Sequence, residues 1–391
     1  MPFKGVSFIV LMVIVLAACQ PAAVQTAAPI ATELPLSPTS LPPSPTSPPP
    51  SETPSPTETP TPPTPTPQGI GSLFHLVSLN PIVPPGPEQP GDTQYADPGA
   101  ATFYEGKFHM FYNAFNGWPS EVTIRYATSQ DGAEWQRENL ELSISPDDLA
   151  YVKFTALASS LLVEEDGTWV MYFYTWDTLS TSAPGVIGRA TAPSPSGPWT
   201  PDAGAVLETG PEGAWDEHSV RAPSVVKTEN GYVMFYTGMN RSQRQAIGMA
   251  TSQDGVHWTK YDDPATTEAT DASLAESDPV FVQTEGDAWD STQVHQPKVV
   301  WNSEEYAMIY RSRDPLTRVT GYGLATSPDG ISWTRSQSNP VLSTEMSEAI
   351  AGMWFHELVY HQDTYYLFVE IGRGGNNTRI FLSKHQGELH Q

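Results

Sequence analysis

Side chains able to move protons or hold polar ligands stand at two kinds of place in this chain. Asp97, Arg221, His295, Gln296, His356 and Glu357 lie at or near the start of short apolar runs, with Glu217 just upstream of one. Asn113, Trp176, Asp177, Asn240, Arg311, Arg313, Glu370 and Arg373 follow short aromatic runs. Carboxylates can give and take protons, and guanidiniums and imidazoles can hydrogen-bond hydroxyl groups. Brought together with an aromatic platform, they would make a pocket for a polyol. Scattered, they would do nothing in common, so the question is what architecture gathers them.

The surrounding elements recur in a fixed order. A short apolar strand comes first, often with proline near its start: Asp97-Pro98, Ala222-Pro223, Gln296-Pro297 and the Phe355–Val359 run. An aromatic strand follows, anchored at Met110, Met171, Met234, Met308 and Leu367. Next comes a strand of the Ile-Gly-x-Ala-Thr kind at Ile187, Ile247 and Tyr322, with looser copies at Ile124 and Ile380. A turn and a tryptophan close the unit: Asp131-Gly132 with Trp135, Gly197 with Trp199, Asp254-Gly255 with Trp258, and Asp329-Gly330 with Trp333. The runs are short, rich in β-branched and aromatic residues, and bounded by turn chemistry, and no long helical period appears. Four antiparallel strands per unit, five units over, predict an all-β, five-bladed β-propeller. A β-sandwich is the competing reading; the fixed order repeated five times argues against it.

The last unit has no tryptophan strand of its own. Asn80-Pro81-Ile82-Val83 near the amino end resembles Asn339-Pro340-Val341-Leu342, so residues 73–84 are expected to supply the missing outer strand and close the ring. In such a ring the inner-strand starts and the loops between second and third strands share one face. That face collects the residues named at the outset.

Ala96-Asp97-Pro98 opening the first inner strand resembles the five-bladed glycoside hydrolase superfamily that includes families 43, 32, 68 and 130. The resemblance covers residues 72–391 and implies hydrolysis of glycosidic bonds in an oligo- or polysaccharide. It makes Asp97 the general base or nucleophile. The other family carboxylates do not carry over: the second unit reads Phe154-Thr155-Ala156-Leu157-Ala158 and the third Val220-Arg221-Ala222-Pro223. Glu357 is the leading partner acid, with Asp177, Glu217 and Glu370 as alternatives. The usual chemistry needs two carboxyl groups about 5 Å apart for retention, or about 6.5–9.5 Å for inversion. Arg221, His295, Gln296, His356, Arg311, Trp176, Asp177, Glu217 and Glu370 are expected to bind substrate. Arg221, Arg311 and Arg313 would also suit the phosphate chemistry found in family 130. Neither His295 nor His356 has metal-ligand spacing, so no metal and no cofactor is expected. The missing acids leave a non-catalytic carbohydrate-binding propeller as the alternative, and a protein-interaction platform as a third reading.

The amino end carries its own signals. Lys4 precedes an apolar run too short to span a bilayer, ending Leu16-Ala17-Ala18-Cys19. This resembles a bacterial lipobox, so segment 1–19 is expected to direct export and Cys19, the only cysteine, to carry a lipid anchor to the cell membrane. Residues 20–71 are dominated by Pro, Thr and Ser and read as a disordered stalk before a globular domain at 72–391. A net charge of −25 excludes nucleic acid as a partner. A monomer is expected.

Overall fold

The computed structural model describes residues 73–83, 94–178, 184–266, 272–348, 350–373 and 377–389. The expected export segment with Cys19 and the whole of the 20–71 stalk lie outside the described residues. The rest forms five antiparallel sheets, each built on four strands, in a ring. The inner strands are Tyr95–Tyr104, Thr155–Val163, Ser219–Thr228, His295–Trp301 and Gly352–His361. Second strands are Lys107–Phe115, Trp169–Trp176, Gly231–Met239, Tyr306–Arg313 and Thr364–Gly372. Third strands are Thr123–Ser129, Pro184–Ala192, Gln245–Ser252, Thr320–Ser327 and Thr378–Gln386. We number the sheets as blades one to five in that order.

The ring closes as expected. The outer strand of blade five is His75–Leu76, paired with Lys384 and Ser383. Val77 N–H donates to Leu382 O and Ile82 N–H to Ile380 O, each at 2.9 Å. Val83 bridges to Ile380 as Leu342 pairs with Tyr322, Phe281 with Ile247 and Leu207 with Ile187. The likeness between the two Asn-Pro segments is thus a likeness of place: both lie against the third strand of a blade.

The Asp-Gly turns fix the outer edge. Asp131 Oδ1 accepts from Ala133 N–H (2.8 Å) and Glu134 N–H (2.9 Å), and Ser129 Oγ accepts from Gly132 N–H. Asp254 and Asp329 repeat this. Each turn tryptophan packs edge-on against the preceding blade: Trp135 on Phe368, Trp199 on Phe111, Trp258 on Tyr172 and Trp333 on Phe235. The motif that marks the repeat in sequence is therefore the seam between blades.

Inner strands are stitched around the axis by polar groups. Asn113 joins blades one and two, donating to Ala158 O and accepting from Ala158 N–H. Ser159 and Ser160 reach Pro223 and Val225 in blade three, and Ser224 accepts from Val299 N–H in blade four. His356 in blade five donates to Ile309 O in blade four. Thr378 N–H donates to Gln94 O, returning to the start of blade one.

Candidate functional site

The prolines of the inner strands mark β-bulges. The register slips between Asp97 and Ala100, Arg221 and Ser224, and His295 and Lys298, with Pro98, Pro223 and Pro297 inside the slip. Proline cannot donate to a ladder, so it is tolerated where the ladder is broken. Gly99, Ala222 and Gln296 take left-handed φ values of 53°, 49° and 54° there. At Gly99 a Cβ would stand 2.1 Å from Phe111 O, so only glycine fits. Blade five bulges between Met353 and His356 without a proline.

The bulges place different chemistry at one position of the repeat. Asp97 pairs with Asn113, Arg221 with Thr237, and His295 with Arg311, each three residues beyond the anchoring methionine of its second strand. The same count in blade five gives Glu370. Acid, guanidinium and imidazole thus stand around the axis at one depth.

Above the axis lies a hollow of about 420 Å³. Its polar wall holds Arg221, Gln245, His295, Gln296, Arg311 and Glu370. Its apolar wall is aromatic, with Tyr95, Phe115, Trp118, Trp176, Trp354 and Phe355. Below it, sharing Gln296 and Phe355, is a small void lined by Asp97, Asn113, His356 and Lys298.

Asp97 is held firmly on one side only. Its Oδ1 accepts from Gly99 N–H (2.9 Å) and Asn113 Nδ2–H (2.7 Å), while Oδ2 is buried and has no partner among the described residues. Burial pushes the Asp97 carboxyl up, opposed by Asn113, Gly99 and the charge of Lys298. Glu370 accepts from Phe355 N–H (3.3 Å) and from the Thr378 hydroxyl. Burial pushes it up too, and the negative charge of Asp97 pushes further. Each carboxyl therefore ionises at a higher pH than its ordinary value.

Other buried polar atoms here are also unpartnered: Gln296 Oε1, His295 Nδ1, His356 Nδ1 and Arg221 Nε. Arg311 Nη1 lies 3.3 Å from His295 Nε2. A guanidinium only donates, so Nε2 accepts and Nδ1 carries the proton. His356 Nε2 donates to Ile309 O at 3.1 Å, leaving a lone pair on Nδ1. Burial holds both imidazoles neutral, His356 down to about 3 and His295 well below its ordinary value. Buried polar atoms are nearly always paired in folded proteins, so a set left open around one hollow points to a ligand.

Glu357 sits elsewhere. Its Oε2 lies 2.7 Å from Lys298 Nζ, beneath the void, and both side chains are buried. Lys298 also donates to Gly99 O, to the Ser159 carbonyl and to Ser159 Oγ, so it ties blade four to blades one, two and five. Burial lifts Glu357 to about 7 against the pull of Lys298.

The hollow brings together Arg221, His295, Gln296, Arg311, Trp176 and Glu370 of the expected set, with His356 and Asp97 just below. Asp177 lies outside its wall, accepting from Thr175 Oγ and facing Lys153 at 3.4 Å. Glu217 also lies outside it, accepting from Gly213 N–H and pairing with Arg241. Its neighbours Trp215 and Asp216 brace the blade: Asp216 meets Lys260 at 2.6 Å and Trp215 stacks on Tyr236. Trp289 and Asp290 do the same with Tyr310 and Arg335. Sequence reasoning missed Lys298, although it directly follows Gln296-Pro297, and it missed Trp118 and Gln245 in the wall. Among the described residues no group of three or more His, Cys, Asp or Glu is placed to hold a metal ion.

The fold is that of a glycoside-hydrolase-like five-bladed propeller. The model of the glycosyl hydrolases family 32 N-terminal domain matches residues 89–310, more than half of the chain, and the chain belongs to that family. Among solved structures, a glycosyl hydrolase from Bacteroides ovatus is 18% identical, with a TM-score of 0.60 over 81% of this chain and 94% of that one. A protein from the family 130 mannoside phosphorylases, a family containing glycoside hydrolases that target β-1,2 mannosidic linkages in Candida mannan, is 18% identical. Its TM-score is 0.61 over 82% of this chain and 95% of that one. A thermostable family 43 glycoside hydrolase is 12% identical, with a TM-score of 0.54 over 78% and 94%. At these identities the likeness is one of fold. A search of curated proteins found no match.

Proposed function

We propose that the chain hydrolyses glycosidic bonds in the hollow, with Asp97 and Glu370 as the working carboxyl pair. The observation that carries this is the unpartnered, buried Asp97 Oδ2 in the void under the hollow that Glu370 lines, with each carboxyl raised by burial and Glu370 raised further by the charge of Asp97. Asp97 has two N–H donors and Lys298 favouring its charge, whereas Glu370 is pushed up by Asp97 itself. Glu370 is assigned as the general acid for the leaving oxygen and Asp97 as base or nucleophile. His295, Gln296 and Arg221 orient hydroxyls, and Trp118 and Trp176 offer ring faces. Glu357, the acid favoured by sequence alone, is assigned instead to holding Lys298. The export signal around Cys19 supports a lipid-anchored protein acting outside the membrane on carbohydrate, as a monomer.

One observation favours the non-catalytic alternative: Arg221 stands in blade three where the superfamily resemblance expects an acid. A glycan-panel hydrolysis assay with Asp97→Asn and Glu370→Gln decides between them. Cleavage lost in both variants supports the enzyme. Glycan binding without cleavage in the native chain supports the binding module.

A further inference from the structure

Two guanidiniums face this hollow with no carboxylate within ion-pair distance among the described residues, although Arg311 and Glu370 in the same wall feel each other's charge. Arg221 donates Nη2–H to Gln245 Oε1 at 2.6 Å. Arg311 donates through Nε and Nη2 to Met353 O, at 3.2 and 3.0 Å, and through Nη1 to His295 Nε2. Every one of these acceptors is neutral. Five other buried or half-buried cations differ: Arg125, Arg189, Lys260, Lys298 and Arg335 each meet a carboxylate within 4 Å. Arg221 has no Asp or Glu among the charges acting on it, and a buried guanidinium of that kind is costly unless something negative arrives.

The donors left open say what shape that negative group has. Arg311 has spent its Nε and one hydrogen on each terminal nitrogen, so it supplies field. Arg221 Nε–H is unpartnered, and so is His295 Nδ1–H, the tautomer imposed by Arg311. Arg221 and His295 hold the same register position in neighbouring blades and line the same hollow. These two open donors line one hollow and match the two oxygens of a carboxylate. The aromatic side chains beside them suit the ring that carries the acid.

We propose that the sugar taken by this hollow bears a carboxylate, a uronic-acid unit, received by Arg221 Nε–H and His295 Nδ1–H in the field of Arg311. This rests on the reading of the hollow as a saccharide site and names its substrate class. It also fits the acid chemistry: an anion seated nearby helps keep the proton on Glu370.

The test is calorimetric titration of the full chain with oligomers of glucuronate, galacturonate and mannuronate, each against its methyl ester, and with inorganic phosphate. The expected result is that at least one uronate binds about tenfold or more tighter than its ester, about 1.4 kcal/mol, with the margin shrinking as salt is raised. Arg221→Gln should bring the ratio of acid to ester affinity towards one, while Arg221→Lys, which keeps the charge, retains part of it. Equal binding of acid and ester across the panel overturns the proposal. So does tight phosphate binding that displaces the uronate and accelerates cleavage of a neutral glycoside. Neutral glycans cleaved in an Asp97-dependent way, with no preference for acids, would leave the hydrolase reading standing and sink this one. Uronate binding without any cleavage would do the reverse.

Discussion

Lys298 and Glu357 meet at 2.7 Å on the propeller axis, each from a different blade and each almost wholly shielded from water. Removing one partner of such a pair strands a buried charge, at a cost of about 3–5 kcal/mol. Lys298→Met should therefore lose stability in urea unfolding, and lose more at pH 8, where Glu357 is ionised beside Lys298, than at pH 6, where burial already keeps it protonated. The double variant Lys298→Met with Glu357→Leu should recover most of it, because apolar replacements of a buried ion pair are often near neutral. Equal loss in both variants would mean that the backbone contacts of Lys298, not the ion pair, carry the stabilisation.

Asp97→Asn should abolish at least about a thousandfold of any hydrolytic rate, within the range for loss of a positioned base or nucleophile. The variant keeps shape and removes a buried charge, so its melting temperature should hold or rise. Steady-state kinetics alongside a thermal melt separate lost chemistry from lost fold.

The pH profile should be bell-shaped, with both limbs displaced upward. Burial raises Asp97 and Glu370 above their ordinary values of 3.8 and 4.5, so activity rises as Asp97 ionises and falls as Glu370 deprotonates. Glu370→Gln should erase the basic limb along with most of the rate. The stability sign follows from the same shifts. Both groups favour the fold fully below their unfolded values, and that contribution drains away as pH rises through the raised folded values. Melts from pH 5 to 8 should show the native chain losing more than Glu370→Gln does.

Asn113 links the site to the frame, donating to Asp97 and bonding both ways with Ala158. Asn113→Ala should cost about 1.5–3 kcal/mol as a buried, charge-assisted set of bonds is lost. It should also move the acid limb to higher pH, because a donor that lowers the Asp97 value is gone. A stability loss with an unmoved limb would confine Asn113 to the seam between blades.

Phe74 tests the closure. It is fully buried, in one cluster with Leu324, Tyr365 and Leu389. Phe74→Ala should destabilise by about 3–5 kcal/mol, as deep aromatic truncations do. Chemical denaturation monitored by tryptophan fluorescence would show whether the closing segment is integral to the ring.

The repeat was legible because its marks do local work. Asp131, Asp254 and Asp329 each satisfy their own turn, and the tryptophan four residues on packs a seam, so spacing and structure coincide. The inner-strand prolines were legible as a signal, and the structure supplies their reason, the bulge that turns Asp97, Arg221 and His295 to one level. The carboxylate partner was not legible. Glu357 follows a histidine in an inner strand and looks like a channel residue, which it is, but nothing local tells that Lys298 reaches it from the next blade. Glu370 ends a second strand, and only register counting across blades shows that it stands level with Asn113 and Arg311.

The Lys298–Glu357 pair has a further consequence for traffic. It separates the upper hollow from a lower recess of about 350 Å³ on the far face, which Glu357 itself borders. A molecule entering the upper hollow therefore meets this ion pair below it and leaves by the mouth it came through.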